Sequence, residues 1–373
     1  MEMGPYANWI EINLDAIEHN VRYLLTRTRQ PLMAVVKADA YGHGSVEVGK
    51  AALHAGASWL AVARYGEARV LRNAGIASPL LVLGMATPAE VDEAIANNVT
   101  LNMHSFETAE MYSQRGKAAG KPVLVHQKIN TGMNRLGVLP EEAVALARRA
   151  NELGGIHIDG MFSHYANASI PGDPFTPLQT KRFKQAVDLM TQANLLPKWI
   201  HLCNSAGSYY EPDGYFNLVR SGSAVVGLAF RDNEPFPAVM RQSFVWKALL
   251  SACKLVTKGG GIGYGQTYTL EKDGYIGTLP VGYGDGYRRK MGNHVLIDGK
   301  RVPVVGSECM DQMMILMPKA YPVGTEVVLI GTQGDESIFV EDICKTWKTI
   351  EVDATANINF RVPRVYVRDQ ISR

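Results

Sequence analysis

The sequence is poor in the features that mark several protein classes. Only four cysteines occur among its 373 residues, Cys203, Cys253, Cys309 and Cys344. They stand too far apart for a paired metal-ligand spacing or a dense disulfide framework, and a reducing cytoplasm suits such a chain. No apolar run is long enough to cross a bilayer, and the start, MEMGPYANWIEINLDAIEHN, places acids early and has no apolar leader core. Neither sign of charge dominates: the formal net charge is +2 and charged residues make up 20%. That balance asks for no nucleic acid and no anionic membrane surface as a partner. Internal repeats and low-complexity segments are missing too. What remains is a soluble enzyme or binding protein, long enough to bury a large core and form two domains.

The stretch around which the chain is organised is Leu32 to Gly44, LMAVVKADAYGHG. Its unbroken apolar run suits a strand buried on both faces, as in a parallel sheet under helices. The run stops at Lys37, which places an amine at the carboxyl end of that strand. Partial desolvation there lowers a lysine pKa and makes the amine usable for a Schiff base or a proton transfer. A lone lysine can equally do no more than snorkel out of a strand end.

Before it, Leu14, Ile17, Val21 and Leu24 share one helical face, with Asn13 placed to cap the helix. After it, apolar runs alternate with amphipathic stretches, the rhythm of βα units. The runs are LMAVVKA, SWLAVA from Ser58, PLLVLG from Pro79, TLNMH from Thr100, VLVHQKI from Val123, IHIDGMFSH from Ile156, WIHLCN from Trp199 and FNLVRSG from Phe216. Eight units within roughly 230 residues predict a (β/α)8 barrel, because an open doubly wound sheet rarely reaches that count. Past about Val239, strand-like runs follow one another across turn signals, among them Asp298-Gly299, which reads as a hairpin. The expected organisation is a barrel over 11–238 and a mainly β domain over 239–373, joined near Pro235 and Pro237, with the strand-like start (1–10) belonging to the β domain.

Function in a barrel gathers at the carboxyl ends of the strands. Those ends carry Lys37 with Tyr41 just beyond, Lys128 leading to Arg135, His164, Asn204-Ser205, and Arg220 followed by Ser221-Gly222-Ser223. The last two loops offer small residues and backbone donors for a phosphate. An amine, a phosphate cradle, an imidazole and a guanidinium together fit pyridoxal phosphate: Lys37 binds its aldehyde, while Ser205 and the backbone around Gly222 and Ser223 hold its phosphate. Arg220 in place of an acid leaves the pyridine nitrogen unprotonated and the ring a weaker electron sink, which favours racemisation. A second acid/base is then needed, and Tyr264 in GGGIGYGQTYT stands among glycines that let backbone approach a ligand. That segment lacks the GxGxxG spacing and the following helix of a dinucleotide site.

The motifs AVVKADAYGHG, KINTGMNRLG, HLCNSA, GIGYGQTYT, LPVGYGDGYRR, CMDQ and FRVPR run in an order that resembles the bacterial alanine racemases, pyridoxal-phosphate enzymes of barrel fold type III. The resemblance spans both domains. It implies that Lys37 binds the cofactor and is the base for the D-enantiomer, and that Tyr264 is the base for the L-enantiomer. It implies a homodimer in which the β domain of one subunit completes the barrel site of the other. Arg135 is similar to the substrate-carboxylate arginine, and Lys128 to the lysine often carbamylated beside it. Arg220 and His164 resemble the residues at the pyridine ring, Met310 and Asp311 the substrate pocket of the second domain, and Tyr283 the tyrosine of a narrow entry.

Some positions depart from the family pattern. Phe360 replaces a tyrosine whose hydroxyl reaches the phosphate, Asn130 an aspartate, Ser307-Glu308 a basic and an apolar residue, and RSGSAVVG after Arg220 lacks an aromatic. These changes fall near the phosphate, the carboxylate arginine and the pocket wall; the reaction class stands, and alanine is the first substrate, with serine or a larger side chain as the alternative. Three rival readings remain. A decarboxylase of basic amino acids needs an acid where Arg220 stands. A non-catalytic carrier of pyridoxal phosphate lacks a second domain. An aldolase leaves Arg220 and the serine-glycine loops unused.

Overall fold

A computed structural model describes residues 6–230 and 236–369; Pro235 and part of the expected strand 1–10 lie outside them. The chain forms two compact units. One is Ala16–Arg241, and the other combines the flanking stretches up to Asp15 and from Gln242 onward.

In the first unit, eight parallel strands stand where the eight apolar runs predict them: β2 (Leu32–Val35), β3 (Trp59–Val62), β4 (Leu80–Val82), β5 (Leu101–Met103), β6 (Val123–Lys128), β7 (Ile156–Phe162), β8 (Trp199–His201) and β9 (Val219–Ser221). They pair in the orders β4-β3-β2-β9 and β5-β6-β7-β8. A parallel bridge between Leu81 and Thr100 joins one edge. At the other, the Asn217 N–H donates to the Ile200 carbonyl at 3.3 Å, and the Ile200 N–H donates to Asn217 Oδ1 at 2.7 Å. An asparagine side chain thus supplies a ladder bond where the barrel closes. All residues of β2, β3, β4 and β5 are buried, the pattern of strands covered on both faces. Each fully buried Leu, Ile or Val there contributes about 1.5–3 kcal/mol.

The covering helices follow their sequence signals. Leu14–Thr28 buries Ile17, Val21 and Leu24 completely. Phe106–Ala119 starts at a Ser105 cap and ends on the left-handed Gly120. Asn13 closes a strand in the second unit, and its side chain donates to Asp369 at 2.8 Å.

The second unit is built on a long sheet. Its strands are β1 (Asn8–Asn13), β10 (Phe244–Leu249), β11 (Ala252–Val256), β14 (Gly274–Leu279), β15 (His294–Ile297), β16 (Lys300–Val305), β17 (Met313–Met317), β18 (Glu326–Gln333), β19 (Glu336–Ile338) and β20 (Arg364–Val367), with a small hairpin of β12 (Gly261–Ile262) and β13 (Tyr268–Thr269) apart. The order is β11-β14-β17-β16-β15-β18-β10-β1-β20, with β19 on β18. The run VWKALLSACKLV divides into β10 and β11, which lie far apart in that order, so its apolar continuity spans a break at Leu250-Ser251. β15 and β16 pair with Ile297 opposite Lys300. Asp298 and Gly299 carry φ of 54° and 67°, the left-handed pair of a type I′ hairpin. Two helices, Val340–Trp347 and Glu351–Ala356, complete the unit. Among the described residues, no helix is long and apolar enough to cross a membrane.

Candidate active site

Two polar clusters stand out, one in each unit. In the barrel, β2 ends at Val35, and Lys37 opens a turn in which Ala38, Asp39, Ala40 and Tyr41 have φ between 51° and 57°. Four consecutive non-glycine residues in the left-handed region cost about 1–2 kcal/mol each, so the surroundings hold this turn in place. The Ala40 N–H donates to the Val36 carbonyl at 2.9 Å, and the Ser45 N–H to Asp39 Oδ1 at 2.7 Å. The Lys37 amine lies 5.9 Å from the Tyr41 ring centre. Burial, and secondarily Arg135, lower its pKa, while Glu67 acts the other way.

Tyr41 reaches over the loop after β9. A Cβ on Gly222 would collide with the Tyr41 hydroxyl, so only glycine permits this approach. Ser205 Oγ accepts from the Gly222 N–H at 3.0 Å and the Ala224 N–H at 3.4 Å, and the Ser221 hydroxyl donates to it at 3.2 Å. Two hydroxyls and two backbone N–H groups therefore converge beside Tyr41, a donor set that suits a phosphate. Asn204 caps the short helix Ser205–Tyr210 after β8: its side chain accepts from the Gly207 N–H at 2.9 Å and donates to the Tyr165 carbonyl at 3.3 Å. Ser223 lies in the loop after β9, with its carbonyl accepting from the Leu228 N–H at 2.9 Å.

Arg220 is buried and bonded on several sides. One guanidinium nitrogen meets His201 Nδ1 at 2.7 Å. The other reaches the Ser163 carbonyl at 2.8 Å, His164 Nδ1 at 3.0 Å and the Leu202 carbonyl at 3.1 Å. None of these partners is a carboxylate. An arginine only donates, which fixes the tautomers: His201 and His164 accept at Nδ1 and carry their protons on Nε2. His201 Nε2 lies 2.8 Å from His126 Nδ1, so the proton of His126 also sits on Nε2. That atom is buried without a hydrogen-bond partner among the described residues, against Gly160, where a Cβ would come within 2.7 Å of it. Burial and the Arg220 charge push all three imidazoles down, His126 to about 3 and His164 and His201 well below 6.5. Burial likewise lowers Arg220, to about 10.

Lys128, at the end of β6, is buried with its amine 4.4 Å from the Phe162 ring centre. Burial first, then the Arg220 and Arg135 charges, hold its pKa well below 10.5. Arg135 sits exposed in the following loop. Asn130 Oδ1 organises that loop by accepting from the Gly132 and Asn134 N–H groups at 3.0 and 3.1 Å.

In the second unit, Tyr264 starts a tight turn between β12 and β13, flanked by Gly263 and Gly265 at φ 70° and 69°, and is 75% exposed. Tyr283, Met310 and Phe360 are also exposed. Arg361 ties together the segments that carry Tyr283 and Met310: its Nε donates to Asp285 at 2.7 Å and a terminal nitrogen to Asp311 at 2.8 Å. Beside it, the Met310 carbonyl accepts from the Gly284 N–H at 2.8 Å. Sequence reasoning placed Arg361 and His201 in motifs without giving either a task, and it missed Glu67 altogether. The expectation that Glu308 alters a pocket wall needs correction, since Glu308 is 5% exposed and accepts from Asn293 at 2.8 Å. It is an internal carboxylate of the β unit, turned inward because Asn293 and Trp347 build a polar pair there, with the indole donating to Asn293 at 2.9 Å.

Comparison with known proteins decides the family. Residues 12–229 match the family description "Alanine racemase, N-terminal domain", and residues 243–366 match "Alanine racemase, C-terminal domain". The chain belongs to the alanine racemase family. It is 40% identical to the alanine racemase of Symbiobacterium thermophilum over 368 residues, covering 97% of this chain and 98% of that one. The crystal structure of the Bacillus anthracis alanine racemase with bound L-Ala-P superposes with a TM-score of 0.93 at 34% identity, covering 99% of this chain and 97% of that one. A histidine racemase from Leuconostoc mesenteroides also shares the fold, with a TM-score of 0.91, 28% identity, and coverage of 98% and 99%. As a racemase-family chain it carries the sequence-predicted barrel residues Lys37, Tyr41, Ser205, Arg220 and Gly222 in one connected unit, whereas Tyr264, Tyr283, Met310 and Asp311 belong to the other.

Proposed function

We propose that this chain is a pyridoxal-phosphate-dependent racemase that converts L-alanine to D-alanine and back. The observation that carries the reading is Arg220, a buried guanidinium whose partners are imidazoles and carbonyls. With no acid among those partners, Arg220 would meet the ring nitrogen of a bound cofactor as a donor that gives up no proton. When bound, the cofactor draws electrons from the substrate Cα so that its hydrogen can leave as a proton.

Around it the chain's own residues do the rest. Lys37 holds the aldehyde carbon between turnovers. Tyr41, Ser205, Gly222 and the loop through Ser223 would hold the phosphate, with Asn204 bracing the segment that carries Ser205. His164 would line the ring's place in neutral form, because burial and the neighbouring Arg220 charge oppose its protonation. For the L-enantiomer, the Tyr264 oxygen removes the Cα proton and the Lys37 amine delivers one to the opposite face; the reverse reaction exchanges these tasks. The closing Tyr264 comes from a second copy of the chain, so the working unit is a homodimer. Arg135 binds the substrate carboxylate, with Met310, Asp311 and Tyr283 bounding the side-chain pocket. The four cysteines are free thiols, in keeping with a cytoplasmic enzyme.

Lys128 is read as a carbamylated residue. Its amine is held neutral enough to attack CO2, giving a carbamate and a released proton. The new negative charge then faces Arg135 in place of an ammonium, turning repulsion into attraction. Carbon-13 bicarbonate should therefore give a carbamate resonance that vanishes in Lys128→Ala. A spectrum without that resonance at neutral pH would leave Lys128 a plain amine.

The function itself is tested by incubating cofactor-saturated protein in heavy water with L-alanine, L-serine or L-histidine, following Cα deuteration and the D-product. Fastest formation of deuterated D-alanine is expected. Faster serine or histidine turnover would reassign the substrate, a reading to which the hydroxyl-free Phe360, 93% exposed, lends weight. Exchange with none of the three, despite bound cofactor, would replace catalysis by cofactor storage.

A further inference from the structure

The left-handed turn after Lys37 needs an anchor at each end. Its far end has one in Asp39, whose side chain accepts from the Ser45 N–H and whose carbonyl accepts from the Gly44 N–H at 2.8 Å. Its near end, the peptide directly after Lys37, is held from another element: the Ala38 N–H donates to Glu67 Oε1 at 2.5 Å across 29 residues of sequence. The second oxygen of the same carboxylate accepts from the Ala63 and Arg64 N–H groups at 2.8 and 3.0 Å. Those groups lie where β3 hands over to the helix Tyr65–Asn73.

A glutamate in the third helical position commonly reaches back to the N-cap N–H. Glu67 does so with one oxygen only and spends the other on the catalytic loop of the neighbouring strand. Hydrogen bonds to a charged group are stronger than those between neutral groups, enough to offset the strain of one or two left-handed residues.

We infer that Glu67 is a positioning residue for Lys37: its carboxylate clamps the backbone on either side of the β2–β3 gap and so fixes where the Lys37 amine stands. The inference rests on the reading of Lys37 as the proton-handling amine. A second consequence follows from charge. The groups acting on that amine are Arg135 and His164, which are basic, the Tyr41 ring at 5.9 Å, and Glu67, which is the acid among them. Glu67 raises the Lys37 pKa against burial and Arg135, so loss of its charge lowers that pKa further. Loss of the fold around Lys37 does the opposite, because solvent would return it toward the ordinary 10.5.

The opposed signs make the test. In the full-length chain freed of cofactor, the rate at which Lys37 reacts with an acylating reagent is followed by mass spectrometry from pH 6 to pH 10, with amide exchange of the Ala38–Tyr41 segment read in parallel. Glu67→Gln is near isosteric but can accept through one oxygen only. It should shift the Lys37 titration to lower pH, raising labelling at pH 7 by about tenfold for each pKa unit. Exchange of the turn should quicken by about tenfold or more, as one weakened bond predicts. Glu67→Asp keeps the charge and loses the reach, so exchange should quicken while the titration stays near the parent's. In the loaded enzyme, Glu67→Gln should lower kcat by roughly ten- to a hundredfold with KM little changed, as expected when the reacting amine is misplaced. An unchanged titration and unchanged exchange in Glu67→Gln would reduce Glu67 to a helix cap and overturn the inference. A titration moving up toward 10.5 would overturn it also, by showing that the residue only keeps the fold closed. Labelling and exchange need no substrate, so a chain that failed to racemise alanine would still report on Glu67.

Discussion

Replacing Tyr264 with phenylalanine is expected to lower Cα exchange from L-alanine in heavy water by about 10²–10⁴-fold, the range ascribed to one positioned acid/base, while exchange from D-alanine persists. Tyr264 is 75% exposed in a turn shaped by two left-handed glycines, so the loss of one hydroxyl removes no internal bond and should leave stability and bound cofactor unchanged. Lys37→Ala is the reciprocal case. It removes the D-side base together with the cofactor's covalent anchor, so both directions of exchange fall. The pair is read by following deuterium incorporation separately from each enantiomer, with cofactor absorbance as the control. Equal loss from both enantiomers in Tyr264→Phe would remove Tyr264 as the L-side base. Retention of both would mean that a different group faces Lys37.

Acid should unfold the barrel well before it protonates the ion-paired carboxylates. His126 and His201 are completely buried, and their pKa values are held down in the fold, to about 3 and well below 6.5. The unfolded chain takes up protons at about 6.5, so below that pH it binds more protons than the native state and stability falls as pH falls. Each such histidine contributes a slope of about 1.4 kcal/mol per pH unit. The two together contribute roughly 3 kcal/mol per unit, a large share of the 5–15 kcal/mol of an ordinary domain. His164 adds in the same sense. Carboxylates held down by partners, such as Asp353 beside Thr349 and Arg288, lose their contribution only below about 3.8. Urea midpoints measured at pH 7, 6 and 5.5 should therefore drop steeply, with His126→Gln flattening the drop. A constant midpoint over that interval would mean that the histidines ionise inside the fold, contrary to the Arg220-fixed tautomers.

Much of this architecture was legible because its causes are local. Apolar runs of five to nine residues between amphipathic stretches are best buried as parallel strands under helices, and all eight contain strands. Asp298-Gly299 tolerates left-handed φ, and a hairpin is there. Lys37 ends an apolar run, and it stands just past a strand. Other features have no local cause. Nothing in AVVKADAYGHG announces four consecutive left-handed non-glycine residues, since alanine and tyrosine disfavour that region and Asp39 alone among the four tolerates it readily.

The Arg220–His201–His126 series joins residues on β9, β8 and β6, and neither imidazole was given a task in the sequence, His201 standing in HLCNSA and His126 in an apolar run. Glu308 read as part of a pocket wall and lies in the core of the β unit. Alone, the sequence determined the order and type of the elements, the hairpin turn and the placement of an amine past the first barrel strand, because periodicity and backbone chirality act over a few residues. Only the tertiary structure decided which side chains meet there. Glu67 reaches Ala38 because parallel pairing of β2 with β3 aligns the ends of the two strands. His201 reaches Arg220 because barrel closure sets β8 beside β9, and it reaches His126 across β7, which lies between β6 and β8; such meetings depend on register and burial across dozens of residues.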